Sequence, residues 1–222
     1  ENKKNIYQVG CPRIDLVNNI LKSKNPPNLN KIINKTGVGS DINFDDNFLL
    51  VSQHPVTTEY EKSDLDIEKT LEAIIELSIP TIFLWPNADA GSEKMIKVTR
   101  SYREKGFNFK IKFLKNLPIS DYIWLMKKTI CLVGNSSSGI REGCFIGTPV
   151  VNIGSRQNGR ERGKNVIDCK PNKSQIIEAI NKQIKHGKYK SVNIYGNGNA
   201  GIRIAKILSK IKDIKIQKKI GF

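Results

Sequence analysis

The chain has 222 residues, of which 38% are hydrophobic and 26% charged, and its mean hydropathy is −0.38. That balance suits one folded α/β domain with a core of its own and excludes a disordered chain. No apolar run approaches the roughly 18–20 residues that cross a membrane, so no membrane role is expected.

In chain order, Glu1 to Asn5 has no apolar stretch behind it and does not read as a signal peptide. The missing initiator Met is read as a sign of excision from something longer. From about residue 48 onward, strand-like and helix-like runs alternate. Phe48 to Val51 is an apolar run of buried-strand type. A helical pattern follows from about Asp64 to Leu77, and Pro80 stops it. Thr81 to Trp85 is the next strand, closed by Pro86. Ser92 opens a helix to about Lys105, which Gly106 ends. Phe109 to Leu114 alternates as a strand does, and Ser120 starts a helix to about Lys128. Ile130 to Val133 is a strand, and a helix runs from about Gly139 to Ile146. Strands follow at Val150 to Ile153 and Asn165 to Ile167. Helices close the pattern at Ser174 to about Lys185 and Asn199 to about Ile211. Such alternation predicts an α/β fold: a Rossmann-like, doubly wound parallel sheet. Ligands of such sheets bind at the carboxyl ends of the strands, so the loops after them are where chemistry is sought.

The loop from Gly134 to Gly143 links strand to helix through small residues. A helix N-terminus offers unpaired N–H groups and partial positive charge, and Gly and Ser let a phosphate approach closely. A tight turn with a redundant cap would use the same residues, although three consecutive serines exceed what one cap needs. Glu142 does not complete a capping box, because Gly139 stands three residues before it. A carboxylate one turn into a phosphate-binding helix is best matched by ribose hydroxyls.

His54 follows a buried strand in Ser52-Gln53-His54-Pro55. It is either a structural histidine bonded to backbone, or an imidazole that is held as a cation beside a diphosphate or gives it a proton. In Trp85 to Ser92, Asn87 and Asp89 are ligand contacts or Asx-turn residues. Arg156, Arg160 and Arg162 crowd one loop and suggest anion recognition, or a solvated basic loop. Gly196-Asn197-Gly198-Asn199-Ala200-Gly201 matches a dinucleotide fingerprint, but no strand precedes it. It reads as a turn and N-cap for the last helix.

The net charge of +16 raises the possibility of a basic nucleic-acid-binding module. However, the lysines are spread along the chain, with one dense cluster from Lys215 to Lys219, and aromatics are not interleaved among them. No nucleic-acid partner is expected; the excess charge helps attract a small anionic substrate. Cys11, Cys131, Cys144 and Cys169 show no CxxC spacing, and the chain has 2 His. Neither a zinc site nor a disulfide framework is expected, and reduced thiols fit the cytoplasm.

In this order the loops resemble those of the hydrolysing UDP-N-acetylglucosamine 2-epimerases of sialic-acid-type sugar synthesis. The resemblance rests on Val9 to Asp15, Gln53 to Thr58, Pro86 to Ser92, Gly134 to Glu142, Gly147 to Asn165 and Tyr195 to Ala200. It implies the C-terminal half of a two-domain, glycosyltransferase-B-like fold. Residues 1–10 would be the tail of a missing N-terminal domain, and residues 11–222 the nucleotide-binding domain with its C-terminal helix. The implied partners are UDP-N-acetylglucosamine or a related UDP-sugar and the chain's own N-terminal domain; family members also commonly form homo-oligomers. The implied reaction eliminates UDP, leaves a 2-acetamido glycal, and adds water to release N-acetylmannosamine, with no cofactor and no metal.

By matching position, His54 resembles the histidine that assists UDP departure. Ser136 and Ser137 resemble the diphosphate-binding serines, with Asn135 and Gly139 in the same loop. Glu142 resembles the acid that holds the ribose, Asn87 a nucleotide-sugar contact, and Arg156 the basic residue closing the phosphate site. The carboxylates that move the C2 proton belong to the first domain in that family, and no loop here supplies them. A diacetamido-sugar epimerase and the C-terminal domain of a glycosyltransferase remain open as alternatives.

Overall fold

The structure is a computed structural model that describes Lys3 and residues 6–211. The basic stretch Lys215 to Lys219 lies outside the described residues. The strands are β1 (Val38–Gly39), β2 (Leu49–Ser52), β3 (Thr81–Leu84), β4 (Ile111–Leu114), β5 (Cys131–Gly134), β6 (Val150–Ile153) and β7 (Val166–Cys169). They form a 7-stranded sheet in the order β1-β4-β3-β2-β5-β6-β7. All neighbours pair in parallel except β1, which lies antiparallel to β4. The chain starts the parallel part at β2, builds outward through β3 and β4, then returns to build the other way through β5, β6 and β7. Its topological switch point therefore lies between β2 and β5, where the open crevice of a doubly wound sheet is found.

Eight helices cover the two faces: α1 (Pro12–Lys22), α2 (Leu29–Asn34), α3 (Ser63–Leu77), α4 (Ser92–Lys105), α5 (Ile119–Lys128), α6 (Ser137–Ile146), α7 (Lys173–His186) and α8 (Ala200–Leu208) among the described residues. Alternate residues of β2 feed opposite cores, as the two-residue period of a strand requires. Leu49 and Val51 join Leu71, Ile74, Phe83, Phe113 and Ile180, between the sheet and the layer of α3, α4 and α7. Phe48 and Leu50 join Val17, Ile33, Ile123, Met126 and Val150, between the sheet and the layer of α1, α2, α5 and α6. Burial on both faces explains why β2 reads as a continuous apolar run. No described helix is long and apolar enough to cross a membrane.

The parallel elements fall where hydrophobic periodicity puts them, within a few residues. The first 47 residues differ, because α1, α2 and β1 precede the region where the alternating pattern was read. Pro12 at the first helical position and buried Ile14 and Val17 are the local reasons for α1. Strand β4 also departs from expectation. It is buried throughout, and Lys112 is only 4% exposed, its Nζ donating to Asn34 O and Asp41 Oδ1 at 3.0 Å each. The Gly196 to Gly201 segment is a turn, as expected, but Asn199 does not cap α8 with its side chain. Asp15 on α1 does so across the fold, accepting from Ala200 N at 2.9 Å and Gly201 N at 2.7 Å.

At the switch point Ser52 of β2 stands opposite Gly134 of β5. Gly134 has φ +132, and a Cβ there would be driven into the Ser52 carbonyl oxygen. Gly134→Ala is therefore expected to destabilise the fold by about 2–4 kcal/mol through a left-handed backbone and a backbone clash. Denaturant unfolding of the variant beside the wild type checks this.

Candidate functional site

The loops leaving β2 and β5 are joined at the switch point by a reciprocal pair of hydrogen bonds. His54 N donates to Asn135 Oδ1 at 2.8 Å, and Asn135 Nδ2 donates to His54 O at 2.8 Å. Asn135 is 3% exposed, and its own carbonyl accepts from Gln157 Nε2 at 2.8 Å and Arg156 Nη1 at 3.4 Å. Read from sequence as a binding residue, Asn135 is instead a strut, because both ends of its carboxamide are committed to the His54 backbone. It fixes where the His54 ring can point.

The ring itself is held at Nδ1, which accepts from Asn87 N at 3.1 Å. With Nδ1 an acceptor, the proton of the neutral ring resides on Nε2, which stands 3.5 Å from Ser52 Oγ at the cleft. Burial first and the Arg156 guanidinium second lower the His54 pKa to about 4, against the opposing pull of the Asp89 carboxylate. The cationic imidazole considered from sequence is thereby set aside for the unliganded chain. His54 is a neutral, tautomer-locked Nε2–H donor. Asn87 acts on it through its backbone, and the residue also lines the cleft.

Helix α6 starts at Ser137, earlier than the sequence pattern suggests, and Ser136 is its N-cap. Gly139 therefore lies inside the first turn. A Cβ there would come within 2.9 Å of Val150 Cγ1, so this glycine allows close packing of α6 on β6. Ser136, Ser137 and Ser138 line a cleft of about 430 Å³ together with His54, Asn87 and Glu142. Arg13, Lys115 and Arg141 supply positive charge to the same wall.

Glu142 is 3% exposed and, among the described residues, is the only carboxylate lining this cleft. Its Oε1 is 3.4 Å from Arg13 Nε and its Oε2 is 3.6 Å from Arg141 Nε. Among the described residues, none donates a hydrogen bond to Oε2. Burial raises the Glu142 pKa more than the two guanidiniums lower it. A buried carboxylate oxygen left open is costly to stability and is what two vicinal hydroxyls of a ligand would satisfy.

Arg156 is not among the residues lining this cleft; its Nη2 is 3.6 Å from Asp89 Oδ2. Arg162, also noted from sequence, is used internally, pairing with Asp168 at 2.9 Å and donating to Gln157 O at 2.8 Å. Sequence reasoning passed over Ser52, Lys115 and Tyr122 and gave no role to Arg13. Arg13 lay within a family-like stretch, but nothing local in the sequence links it to Glu142. Tyr122 is the fourth residue of α5, inside a helix rather than in a post-strand loop.

The chain matches the family described as UDP-N-acetylglucosamine 2-epimerase over residues 1–209. The UDP-N,N'-diacetylbacillosamine 2-epimerase (hydrolyzing) of Legionella pneumophila is 30% identical over 211 residues, covering 95% of this chain and 53% of that protein. The UDP-N-acetylglucosamine 2-epimerase of Neisseria meningitidis is 28% identical over 200 residues, covering 90% and 49%. The chain thus spans about half the length of these curated relatives. The crystal structure of the Methanocaldococcus jannaschii UDP-GlcNAc 2-epimerase in complex with UDP-GlcNAc and UDP superposes with a TM-score of 0.69 at 20% identity, over 94% of this chain and 56% of that one. That likeness shows the fold, the Rossmann-like half of a glycosyltransferase-B-like architecture.

Two outcomes are expected. Asn135→Ala leaves the buried His54 N–H and C=O unpaired and is expected to cost about 2–4 kcal/mol, measured by chemical denaturation. The His54 pKa is depressed on folding from its ordinary 6.5 to about 4, so the unfolded chain takes up this proton first. The His54 contribution to stability is therefore complete above about pH 6.5 and is lost as pH falls towards 4. Nitrogen-resolved NMR of the histidines, assigned with His186→Gln, is expected to find His54 neutral and protonated at Nε2 at pH 6. An imidazolium signal there would contradict the assignment.

Proposed function

The chain belongs to the UDP-N-acetylglucosamine 2-epimerase family, and from that premise we propose that it is the C-terminal, nucleotide-binding half of a hydrolysing UDP-2-acetamido-sugar 2-epimerase. The observation that carries this reading is the arrangement at the switch point. One wall of one cleft holds a neutral Nε2–H imidazole, the hydroxyls and N–H groups at the start of α6, and an open, buried carboxylate oxygen one turn along that helix.

The diphosphate of UDP binds at the N-terminus of α6, where Ser136, Ser137 and the helix dipole meet it. The ribose hydroxyls donate to Glu142, satisfying its open Oε2. His54 Nε2–H faces the departing phosphate oxygen. As the C1–O bond breaks, negative charge gathers on that oxygen, and a neutral donor beside it stabilises the charge by hydrogen bonding or proton transfer. The electrons that close the C1–C2 double bond come from the C2–H bond, so a base must take the C2 proton. Among the described residues Glu142 is the only carboxylate lining the cleft, and it is assigned to the ribose. The base is therefore assigned to an N-terminal half that completes the cleft. Water addition to the glycal then releases the free 2-epimeric sugar. The free cysteines fit a reducing compartment such as the cytoplasm.

The preferred sugar is UDP-N-acetylglucosamine, after the family description. A UDP-diacetamido sugar is the second reading, and it is favoured by the 30% identity to the Legionella enzyme.

Calorimetric titration tests the nucleotide assignment. UDP is expected to bind saturably, and Glu142→Ala to weaken it by roughly 10- to 100-fold through loss of two charge-assisted hydrogen bonds. Equal affinity for UDP in wild type and variant would refute the ribose role. The chain alone is expected to release no free amino sugar from UDP-N-acetylglucosamine, whereas full-length protein should, because a positioned base typically contributes roughly 10²–10⁴-fold.

A further inference from the structure

Tyr122, on the first turn of α5, has no part in the roles assigned so far. Its hydroxyl lies 2.5 Å from Ser138 Oγ, and Ser138 Oγ lies 2.9 Å from Ser136 Oγ. Ser136 Oγ is the N-cap oxygen of α6 and also accepts from Ser138 N at 3.4 Å. All three residues line the cleft. We propose that Tyr122 is a positioning residue that polarises a chain of hydroxyls, Tyr122 to Ser138 to Ser136, so that the Ser136 hydrogen points at a bound diphosphate.

Hydrogen counting sets the direction. Each hydroxyl has one hydrogen to give. Burial raises the Tyr122 pKa, and the nearby Glu142 carboxylate adds to this, so the phenol keeps its proton. If Tyr122 donates to Ser138, Ser138 is free to donate to Ser136. Ser136 already accepts from Ser138 N and Ser138 Oγ, so its own hydrogen is left for the ligand. The opposite direction would turn a serine lone pair towards the cleft, which an anion would repel. An anion at the open end therefore selects the outward direction, and each donor in the chain strengthens the next. Ser138, only 8% exposed, serves as the relay between the phenol and the cap.

This inference rests on the diphosphate reading of the cleft, and the experiment separates the two. The wild type, Tyr122→Phe, Ser138→Ala and the double variant are titrated with UDP, uridine and inorganic pyrophosphate, and the melting temperature of each is recorded. Tyr122→Phe keeps the ring and removes only the head of the chain. It is expected to weaken UDP and pyrophosphate by about three- to tenfold, the scale of one hydrogen bond, with uridine affinity unchanged. Ser138→Ala is expected to produce a similar loss. The double variant should lose no more than the worse single variant, because the three hydroxyls act as one unit.

Wild-type UDP binding that neither variant alters would overturn the chain and leave the nucleotide reading standing. Additive losses, or equal losses for uridine, would also overturn it in favour of a general packing role. Pyrophosphate binding that depends on Tyr122, without UDP binding, would uphold the chain and sink the nucleotide reading. A wild type that binds neither would sink both.

Discussion

The whole site depends on the two hydrogen bonds by which Asn135 grips the backbone of His54 across the switch point. A parallel sheet that reverses its winding direction leaves its two central post-strand loops diverging, and nothing in strand pairing dictates how far apart they stand. Here one carboxamide spans them. It sets the histidine on one loop relative to the helix N-terminus on the other. Gly134, where a side chain would strike the Ser52 carbonyl, allows β5 to come close enough for that carboxamide to reach. The ring is then fixed by a third loop, through Asn87 N. Geometry that a catalytic donor needs to within a fraction of an ångström is thus set by buried backbone contacts rather than by the exposed side chains around it.

The electrostatics of the cleft follow from the same burial. His54 is kept neutral and Glu142 is kept short of partners, both chiefly because the protein excludes water from them. The second is unfavourable to the unliganded fold, and under the proposed reading each is matched by one part of a nucleotide diphosphate. A bound dianion beside His54 would raise its proton affinity, and ribose hydroxyls would complete the coordination of Glu142. Arg13 holds Glu142 from α1, a helix whose Asp15 also caps α8. The first and last parts of the described chain are therefore tied both to each other and to the site.

Much of this was legible in the sequence, for identifiable reasons. Strands buried on both faces make short apolar runs, and the small residues between them mark the ligand edge. His54, Ser136, Ser137 and Glu142 are candidates on that ground, and the structure gathers them around one cleft. What was not legible depends on contacts distant in sequence. Asn135 and Gly139 sit in a loop rich in ligand-binding residue types, yet one braces the His54 backbone and the other admits Val150. Neither role leaves a local signature. The Arg13 to Glu142 pair joins residues far apart in the chain, and the cap of α8 comes from α1 instead of from the adjacent Asn199. Helix α1 had its own local signal in Pro12 and the spacing of Ile14 and Val17, but it precedes the alternating pattern from which the sheet was read.

The central claim is that a uridine diphosphate lies across the switch point, with its phosphates on the start of α6 and its ribose on Glu142. Amide chemical-shift mapping of the chain with UDP tests this most directly. The account predicts that the largest shifts fall on His54, Asn87 and Ser136 to Glu142. Shifts centred instead on the neighbouring cavity lined by Gly154, Lys170 and Gln175, or no saturable shifts at all, would contradict it.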